Sequence, residues 1–394
     1  MNSEQKISPR QFGILAALYS IGTAILISPA VLTAEAKQDA WLAATLGIGL
    51  GMLLVLLYNK VGSLYATKNL VETMEALLGK WLGKAIAITF IFFTYVTSAE
   101  VLYLFGNFLT TQIMPETPMQ ALNILFASIV IFGSRLGIEV VARFAELLFP
   151  VFIGLFILLV VFVSPQIHTD NLLPFMESSG GIIIGTALYF TSIFSLSPVV
   201  LLMIFPDSVN RTEAGRKAFL KGTLVGGIIL LVIILLCLLV LGAESTARQI
   251  YPSYSLAKKI NVGNFLQRIE IIMAMMWFIS IYFRLSCYFH AAVKGVAQVL
   301  DVKDYRFLVV PMGITMITLS LMVHPNILHS ALYNRETWLV YASTYGLLLP
   351  LLLLTVHAVR QKFGKGGNSG SGINRSEPPR ETESGETSSD GNEQ

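Results

Sequence analysis

Two ionisable side chains lie inside long apolar runs of the sequence, where charge is rare. Arg284 stands near the middle of the run 267–298, and Glu100 lies about one turn from the middle of the run 84–111. A guanidinium in hydrocarbon costs roughly 3 kcal/mol or more and does not deprotonate, so it needs an anion or a group of carbonyl oxygens. Three arrangements satisfy this need: a Glu100–Arg284 pair, a ligand carboxylate bound by Arg284, or a guanidinium that caps the ends of interrupted helices.

Two other apolar runs are interrupted by glycine, hydroxyl residues and proline. The run 11–33 contains the segment SIGT at 20–23, and the run 181–206 contains SLSP at 195–198. An interrupted helix frees backbone groups that lipid cannot satisfy but a ligand can, and its new N-terminus favours an anion. Either interruption alone is more typical of packing residues and gentle kinks than of a binding site. Their matching positions in the two halves of the chain favour a midplane binding site.

The composition identifies the elements that must carry these residues. Of the 394 residues, 54% are hydrophobic and only 13% are charged, against about 25% charged in a soluble domain, which excludes a water-soluble globule. Apolar runs near the length that crosses a bilayer predict an all-α integral membrane protein of ten transmembrane helices, at 11–33, 40–61, 84–111, 119–135, 142–163, 181–206, 218–242, 267–298, 306–323 and 336–360. The amphipathic stretch 65–80 predicts a helix lying on the interface.

The ten spans form two halves of five, at about 11–163 and 181–360. Because five is odd, the second half enters the membrane from the opposite side, which predicts an inverted repeat whose first spans, one and six, are broken. Lys and Arg are unequally shared, with 20 of 27 on the side of the termini, so 1–10 and the polar tail 361–394 are expected to be cytoplasmic. The tail is rich in Gly, Ser, Glu and Pro, which predicts disorder.

Four segments give the chain a family resemblance: KISPRQFGILAALYSIGTAIL, DAWLAATLGIGLG, LGIEVVARFAELLFP and RIEIIMAMMWFISIYFRLSCYFHAAVKGVAQVLDVKDYRFLVVP. They resemble the spore germination permeases, the integral-membrane B subunits of nutrient germinant receptors, within the amino acid–polyamine–organocation superfamily. The resemblance covers about residues 6–360. It implies a LeuT-like five-plus-five fold, the spore inner membrane, assembly with A and C subunits, and binding of a germinant that is often an amino acid.

The resemblance also implies that spans one, three, six and eight surround the midplane. The ligand-binding residues expected on that basis are Gly22, Thr23, Ser98, Glu100, Leu196, Ser197, Arg284 and Tyr288. In transporters of the superfamily a fixed cation in or near the eighth span can take the place of sodium, a role that Arg284 would fill. The sequence has no Walker loop, HExxH or GxSxG motif and no metal-ligand spacing of histidines, so we expect neither an enzyme nor a cofactor.

Three functions fit these features. The first is a receptor subunit that binds a small nutrient in a transporter-like midplane pocket and triggers spore germination. The second is a proton- or cation-coupled transporter of amino acids or amines, and the third is a membrane anchor for partner subunits with a vestigial pocket. Patterning fits the first two equally, and the family resemblance favours the first.

Overall fold

The computed structural model describes residues 6–259 and 270–366, almost all of them helical. The helices are α1 Pro9–Ile21, α2 Ala24–Ala36, α3 Ala40–Gly62, α4 Leu70–Leu78, α5 Lys80–Gln112, α6 Met119–Leu136, α7 Ile138–Val163, α8 Gly180–Thr191, α9 Thr212–Leu241, α10 Ala243–Arg248, α11 Pro252–Lys258, α12 Glu270–Val299, α13 Arg306–Met322, α14 Ile327–Glu336, α15 Trp338–Ser343 and α16 Leu349–Gly366. Within the described ranges the only β pairing is a single parallel bridge between Ile7 and Val209.

Eight helical segments of the described residues are long and apolar enough to cross a membrane, or nine if α13 and α14, bent by 97°, form one span. One of the eight, Ala24–Gly62, has 39 residues. At 1.5 Å per residue it measures roughly 58 Å, about twice the hydrocarbon thickness of a bilayer. It contains a 3₁₀ turn at Lys37–Asp39, and α2 and α3 contact each other across this turn. The count of ten spans stays a prediction.

Most predicted spans coincide with helices to within a few residues. The predicted interfacial helix 65–80 is shorter, because α4 begins after the N-cap Asn69, whose side chain forms a reciprocal capping box with Glu72. The final helix is longer than predicted, since α16 runs to Gly366 rather than ending at 360. Residues 267–269 of the eighth predicted span and 367–394 of the predicted tail lie outside the described residues.

Helices α5, the broken span at 180–203 and α12 form the middle of the bundle. Arg284, Tyr288 and their neighbours on α12 are almost completely buried, whereas α7 exposes Leu147 and Ile157. Exposed aliphatic side chains along α6 and α7 are what a lipid-facing surface requires. The polar side chains of α12 therefore lie inside the bundle, away from lipid.

The ends of the two interrupted spans on the α4 side of the bundle are joined by main-chain hydrogen bonds. The Ile7 N–H donates to the Ser208 carbonyl over 2.8 Å, and the Asn210 N–H donates to the Ile7 carbonyl over 2.9 Å. Further along α1, Gly13 lies directly against Gly222 of α9, where a side chain would meet the Gly13 carbonyl. These contacts hold α1 against α9 and the segment after α8.

Candidate functional site

The first interruption lies between α1 and α2. Helix α1 ends at Ile21, Gly22 has φ +24° and ψ −118°, and α2 begins at Ala24. The Gly22 N–H donates to the Leu18 carbonyl over 3.0 Å. Thr23 is buried at the N-cap position of α2 but makes no side-chain cap. The interruption leaves carbonyls at the end of α1 without a following turn to bond them.

The second interruption is a change of helix type. After α8 the chain forms a π-helix over Ser192–Leu196 and then a 3₁₀ helix over Ser197–Met203, all of it buried. π segments often occur at functional sites, and the switch from wide to tight winding changes which N–H faces each carbonyl. Backbone oxygens in this segment are therefore available to side chains of neighbouring helices.

Arg284 donates hydrogen bonds to both interruptions. We call the guanidinium and the groups that it contacts the Arg284 centre. One terminal nitrogen donates to the Tyr19 carbonyl over 3.2 Å, and the other donates to the Ile193 carbonyl over 3.2 Å and to Ser197 Oγ over 3.1 Å. The residue is 2% exposed, and its aliphatic chain fills the space beside Gly22 that a side chain would occupy. The capping arrangement, one of the three expected from the sequence, is the one observed.

The predicted Glu100–Arg284 pair is wrong. Among the described residues the Glu100 carboxylate makes no ion pair, and it lies instead beside the Tyr333 hydroxyl of α14. The error arose because Arg284 finds its acceptors in the backbone of the interrupted helices, which no side-chain inventory reveals. Its positive charge is balanced by carbonyl dipoles and by the rings of Tyr19 and Tyr288, whose centroids lie 5.2 and 5.8 Å from the guanidinium carbon.

Two tyrosines that the sequence did not single out complete this centre. The Tyr19 hydroxyl donates to the Ser197 carbonyl over 3.0 Å. The Tyr58 hydroxyl of α3 lies 2.8 Å from the Gly346 carbonyl and 3.1 Å from those of Ser195 and Leu196. One hydroxyl hydrogen thus serves three buried acceptors, which joins α3 and the π segment at Ser192–Leu196 to a second π-helix, Thr344–Leu348, ahead of α16.

Removing the Tyr58 hydroxyl should weaken the contact between the π segment at Ser192–Leu196 and the π-helix that precedes α16. We expect Tyr58→Phe to lower the free energy of unfolding by about 1–2 kcal/mol, because buried carbonyls lose their donor. Thermal unfolding of the purified protein in detergent measures the change. The matched control is Tyr65→Phe, since the Tyr65 hydroxyl makes no hydrogen bond to the described residues. An equal effect of both substitutions would contradict the role of Tyr58.

Several buried polar atoms of α12 have no partner within the described residues, among them Arg284 Nε, the Tyr288 hydroxyl and Trp277 Nε1. These three residues share one face of the helix, with Trp277 two turns before Arg284 and Tyr288 one turn after it. Unsatisfied buried donors are costly, so such a group marks a place where a water molecule or a ligand would be stabilised. The centre therefore has spare hydrogen-bonding capacity on the α12 side.

A cavity of about 670 Å³ lies beyond the centre, on the side of α2 and α14. Its walls are helical stripes of α2, α8 and α14, closed by the α10–α11 connection. The lining residues are Ile27, Ala30, Val31, Ala34, Glu35, Leu104, Ile182, Gly185, Thr186, Tyr189, Ala247, Gln249, Ile250, Tyr251, Ile327, Leu328, Ser330, Ala331, Asn334, Arg335 and Leu339. We call it the outer cavity. It is mostly apolar, with an ion pair at the end distant from the interruptions, where Arg335 donates to Glu35 over 2.8 Å.

The structure brings only part of the predicted site together. Gly22, Ser197, Arg284 and Tyr288 meet at the centre, and Leu196 reaches it through its carbonyl. Ser98 is buried on α5 and donates to its own helix, at Thr94. Neither these residues nor Glu100 or Thr23 line the outer cavity. The cavity walls were not predicted, because ordinary apolar residues on three separate helices carry no signature in the sequence.

Comparison with known proteins decides the family. The model of the family described as spore germination protein matches residues 6–327. This chain belongs to the spore germination permease family. It is 29% identical to spore germination protein KB of Bacillus subtilis (strain 168) over 361 residues, which is 91% of this chain and 96% of the relative. Spore germination protein A2 of the same organism is 24% identical, with 87% of this chain and 93% of the relative covered.

Solved structures place this spore germination permease among transporters of the LeuT-like fold. MhsT in complex with L-phenylalanine superposes with a TM-score of 0.64 and 14% identity, over 91% of this chain and 99% of MhsT. Mhp1, a nucleobase-cation-symport-1 family transporter in a closed conformation, superposes with a TM-score of 0.59 and 12% identity, over 88% and 79%. The expected fold class is thus confirmed as an all-helical, multi-pass membrane architecture shared with these transporters.

Proposed function

We propose that this chain is the membrane subunit of a nutrient germinant receptor, which binds a small nutrient such as an amino acid and thereby triggers spore germination. Membership of the spore germination permease family supports the process, and the fold shared with a phenylalanine-bound transporter supports the ligand class. The proposed role includes no covalent chemistry. It includes the spore inner membrane and A and C subunits as partners, as the family resemblance implies, and both termini in the spore core, as the distribution of Lys and Arg indicates.

One observation carries the proposal: the floor of the outer cavity is one helical turn from the interruptions. Ile27 lies four residues after Thr23, and Tyr189 lies four residues before Ile193. Residues four apart share a helix face, so a ligand on this floor presses on the turns that contain the Arg284 centre. We propose that the ligand enters by the outer cavity and that its polar head reaches toward Gly22, Thr23, Ser98, Glu100, Leu196, Ser197, Arg284 and Tyr288.

The proposed signal is a shift between two arrangements of the interrupted helices. In the first of them Arg284 ties α1 to the π segment through its two carbonyl acceptors. A ligand moves this equilibrium only as far as it binds one arrangement more tightly than the other. A ligand carboxylate would accept hydrogen bonds from the donors that have no partner, which are Arg284 Nε, the Tyr288 hydroxyl and Trp277 Nε1. A fixed guanidinium at this position would also replace a coupling cation.

Filling the cavity tests the proposal. We expect Ala30→Trp to raise the nutrient concentration for half-maximal germination by roughly tenfold or more, because the indole occupies the space of the ligand. The measurement is the loss of optical density of spores with equal amounts of the subunit. Leu53→Trp on α3 is the control, since Leu53 is 63% exposed on the lipid-facing surface. Unchanged sensitivity of the Ala30 variant would refute the site in the cavity.

A transporter is the alternative, and it is favoured by the shared fold with Mhp1 and MhsT. Accumulation of a radiolabelled amino acid against its gradient in proteoliposomes would support transport over sensing. Binding without accumulation would support the receptor. Absence of binding to the purified subunit, with germination retained, would instead favour an anchor for the partner subunits.

A further inference from the structure

Two arginines meet on the lipid-facing surface where α6 ends and α13 begins. Arg135 lies in the last turn of α6, and Arg306 is the first residue of α13. Together with Phe132 and Leu136 they line a crevice of about 450 Å³. We call it the arginine crevice. It shares no residue with the Arg284 centre or with the outer cavity.

The crevice belongs to the part of the surface that faces lipid. Phe132 is 65% exposed, and Arg135 lies three residues further on the same helix face. On α13, Val310 and Ile314 are exposed at steps of four from Arg306. The two helices pack closely beneath, where Ile131 covers Gly313 and Asn123 donates to Ser320 over 3.0 Å. Each arginine therefore stands at the end of an apolar stripe, at the level where headgroups begin.

Within the described residues neither guanidinium makes an ion pair, because the nearby carboxylates are engaged elsewhere. Glu139 pairs with Arg143, and Asp301 accepts from Lys84 over 2.9 Å, a bond that holds the pKa of this exposed carboxyl below its usual value. Asp304 accepts from the backbone N–H of Arg306 over 3.0 Å. Tyr305, beside Arg306, supplies no countercharge. Two guanidinium charges against the single adjacent carboxylate of Asp304 leave the crevice with a net positive charge toward the headgroup layer.

We propose that the arginine crevice binds the headgroup of an anionic phospholipid. Guanidinium groups bind phosphate oxygens in a bidentate geometry, and basic pockets between membrane helices are suited to such headgroups. The acyl chains lie along the apolar stripe that Phe132 and Leu136 begin. The phosphate joins the ends of α6 and α13, and so stabilises the periphery of the bundle against α12.

Retention of lipid by the full-length protein tests this assignment. The protein is reconstituted with phosphatidylcholine and phosphatidylglycerol, and the lipid that stays bound is measured by native mass spectrometry. We expect the double variant Arg135→Gln/Arg306→Gln to bind phosphatidylglycerol roughly 30-fold more weakly, since each arginine near an anionic surface contributes about fivefold. Arg135→Lys/Arg306→Lys should lose less, because charge remains while bidentate contact is lost.

The controls separate a headgroup site from a general effect of surface charge. Arg216→Gln removes an arginine of α9 that is already paired with Glu213 and does not line the crevice, and it should leave retention unchanged. The proposal would be overturned if the wild type retained phosphatidylcholine as well as phosphatidylglycerol, or if the double glutamine variant bound phosphatidylglycerol as tightly as the wild type. Displacement of the lipid by inorganic phosphate would also overturn it. Helical circular dichroism of each variant establishes that it is folded before lipid is measured.

Discussion

Arg284→Lys should abolish most of the germination response while leaving the protein in the membrane. An ammonium on a shorter reach cannot donate to the carbonyls of Tyr19 and Ile193 together, whereas the planar guanidinium does. Loss of two bonds to a charged donor weakens the arrangement in which Arg284 ties α1 to the π segment by about 3 kcal/mol, or more than 100-fold in the equilibrium between arrangements. The measurement is the germination rate of spores at saturating nutrient, normalised to the amount of subunit.

Two comparisons show whether the effect comes from the hydrogen bonds of the guanidinium. Arg248→Lys alters an exposed arginine that pairs with Glu244 within α10, and it should germinate normally. Arg284→Met removes the charge altogether and leaves both carbonyls without a donor, so we expect lower amounts of protein as well as lost response. If Arg284→Lys germinated like the wild type, the bridging of the two interruptions would not be part of the mechanism.

Gly22→Ala should have an effect of similar size by a different route. A methyl group at this position would collide with Arg284 Cδ and stand 2.9 Å from the Tyr19 carbonyl, and φ of +24° is strained for any residue with a side chain. Overpacking and backbone strain together should destabilise this arrangement by about 3 kcal/mol. We expect the germination rate to fall at least tenfold and the unfolding temperature of the purified protein to decrease.

The chain offers a matched control for the glycine. Gly154 lies within α7, and a side chain there would meet open space. Gly154→Ala should therefore be neutral or slightly stabilising, because alanine is the better helix former by up to about 1 kcal/mol. Equal behaviour of the two alanine variants would show that the space beside Gly22 is not needed for Arg284.

The sequence predicted the general architecture because lipid imposes a simple rule on composition. Helix positions follow from runs of apolar residues, and the interruption at Gly22 follows from a glycine that no regular helix needs there. The deep position of Arg284 was equally visible. The hydrogen-bond acceptors of Arg284 were not visible in the sequence. Every residue has a backbone carbonyl, and these carbonyls become available to a side chain only where a helix stops or changes its winding.

Other parts of the site depend on tertiary packing that one sequence does not encode visibly. Helix α14 is bent by 97° from α13, and its polar face meets α2 through the Arg335–Glu35 pair, 300 residues apart in sequence. Tyr58 lies in an otherwise ordinary apolar helix, and only its three acceptors distinguish it. Residue types therefore predict where the helices lie in the sequence better than they predict which helix faces contact each other.

The main-chain pairing of Ile7 with the segment at Ser208–Asn210 has a consequence for how this protein can evolve. Both bonds join backbone atoms, so exchange of side chains at these positions leaves the pairing intact. A displacement of α1 is passed to the segment after the π helix whatever residues a relative carries there. Relatives can thus diverge widely in sequence and still keep the two interrupted spans joined by these bonds. Only a proline at one of the two donor positions, which would have no N–H to donate, would remove a bond.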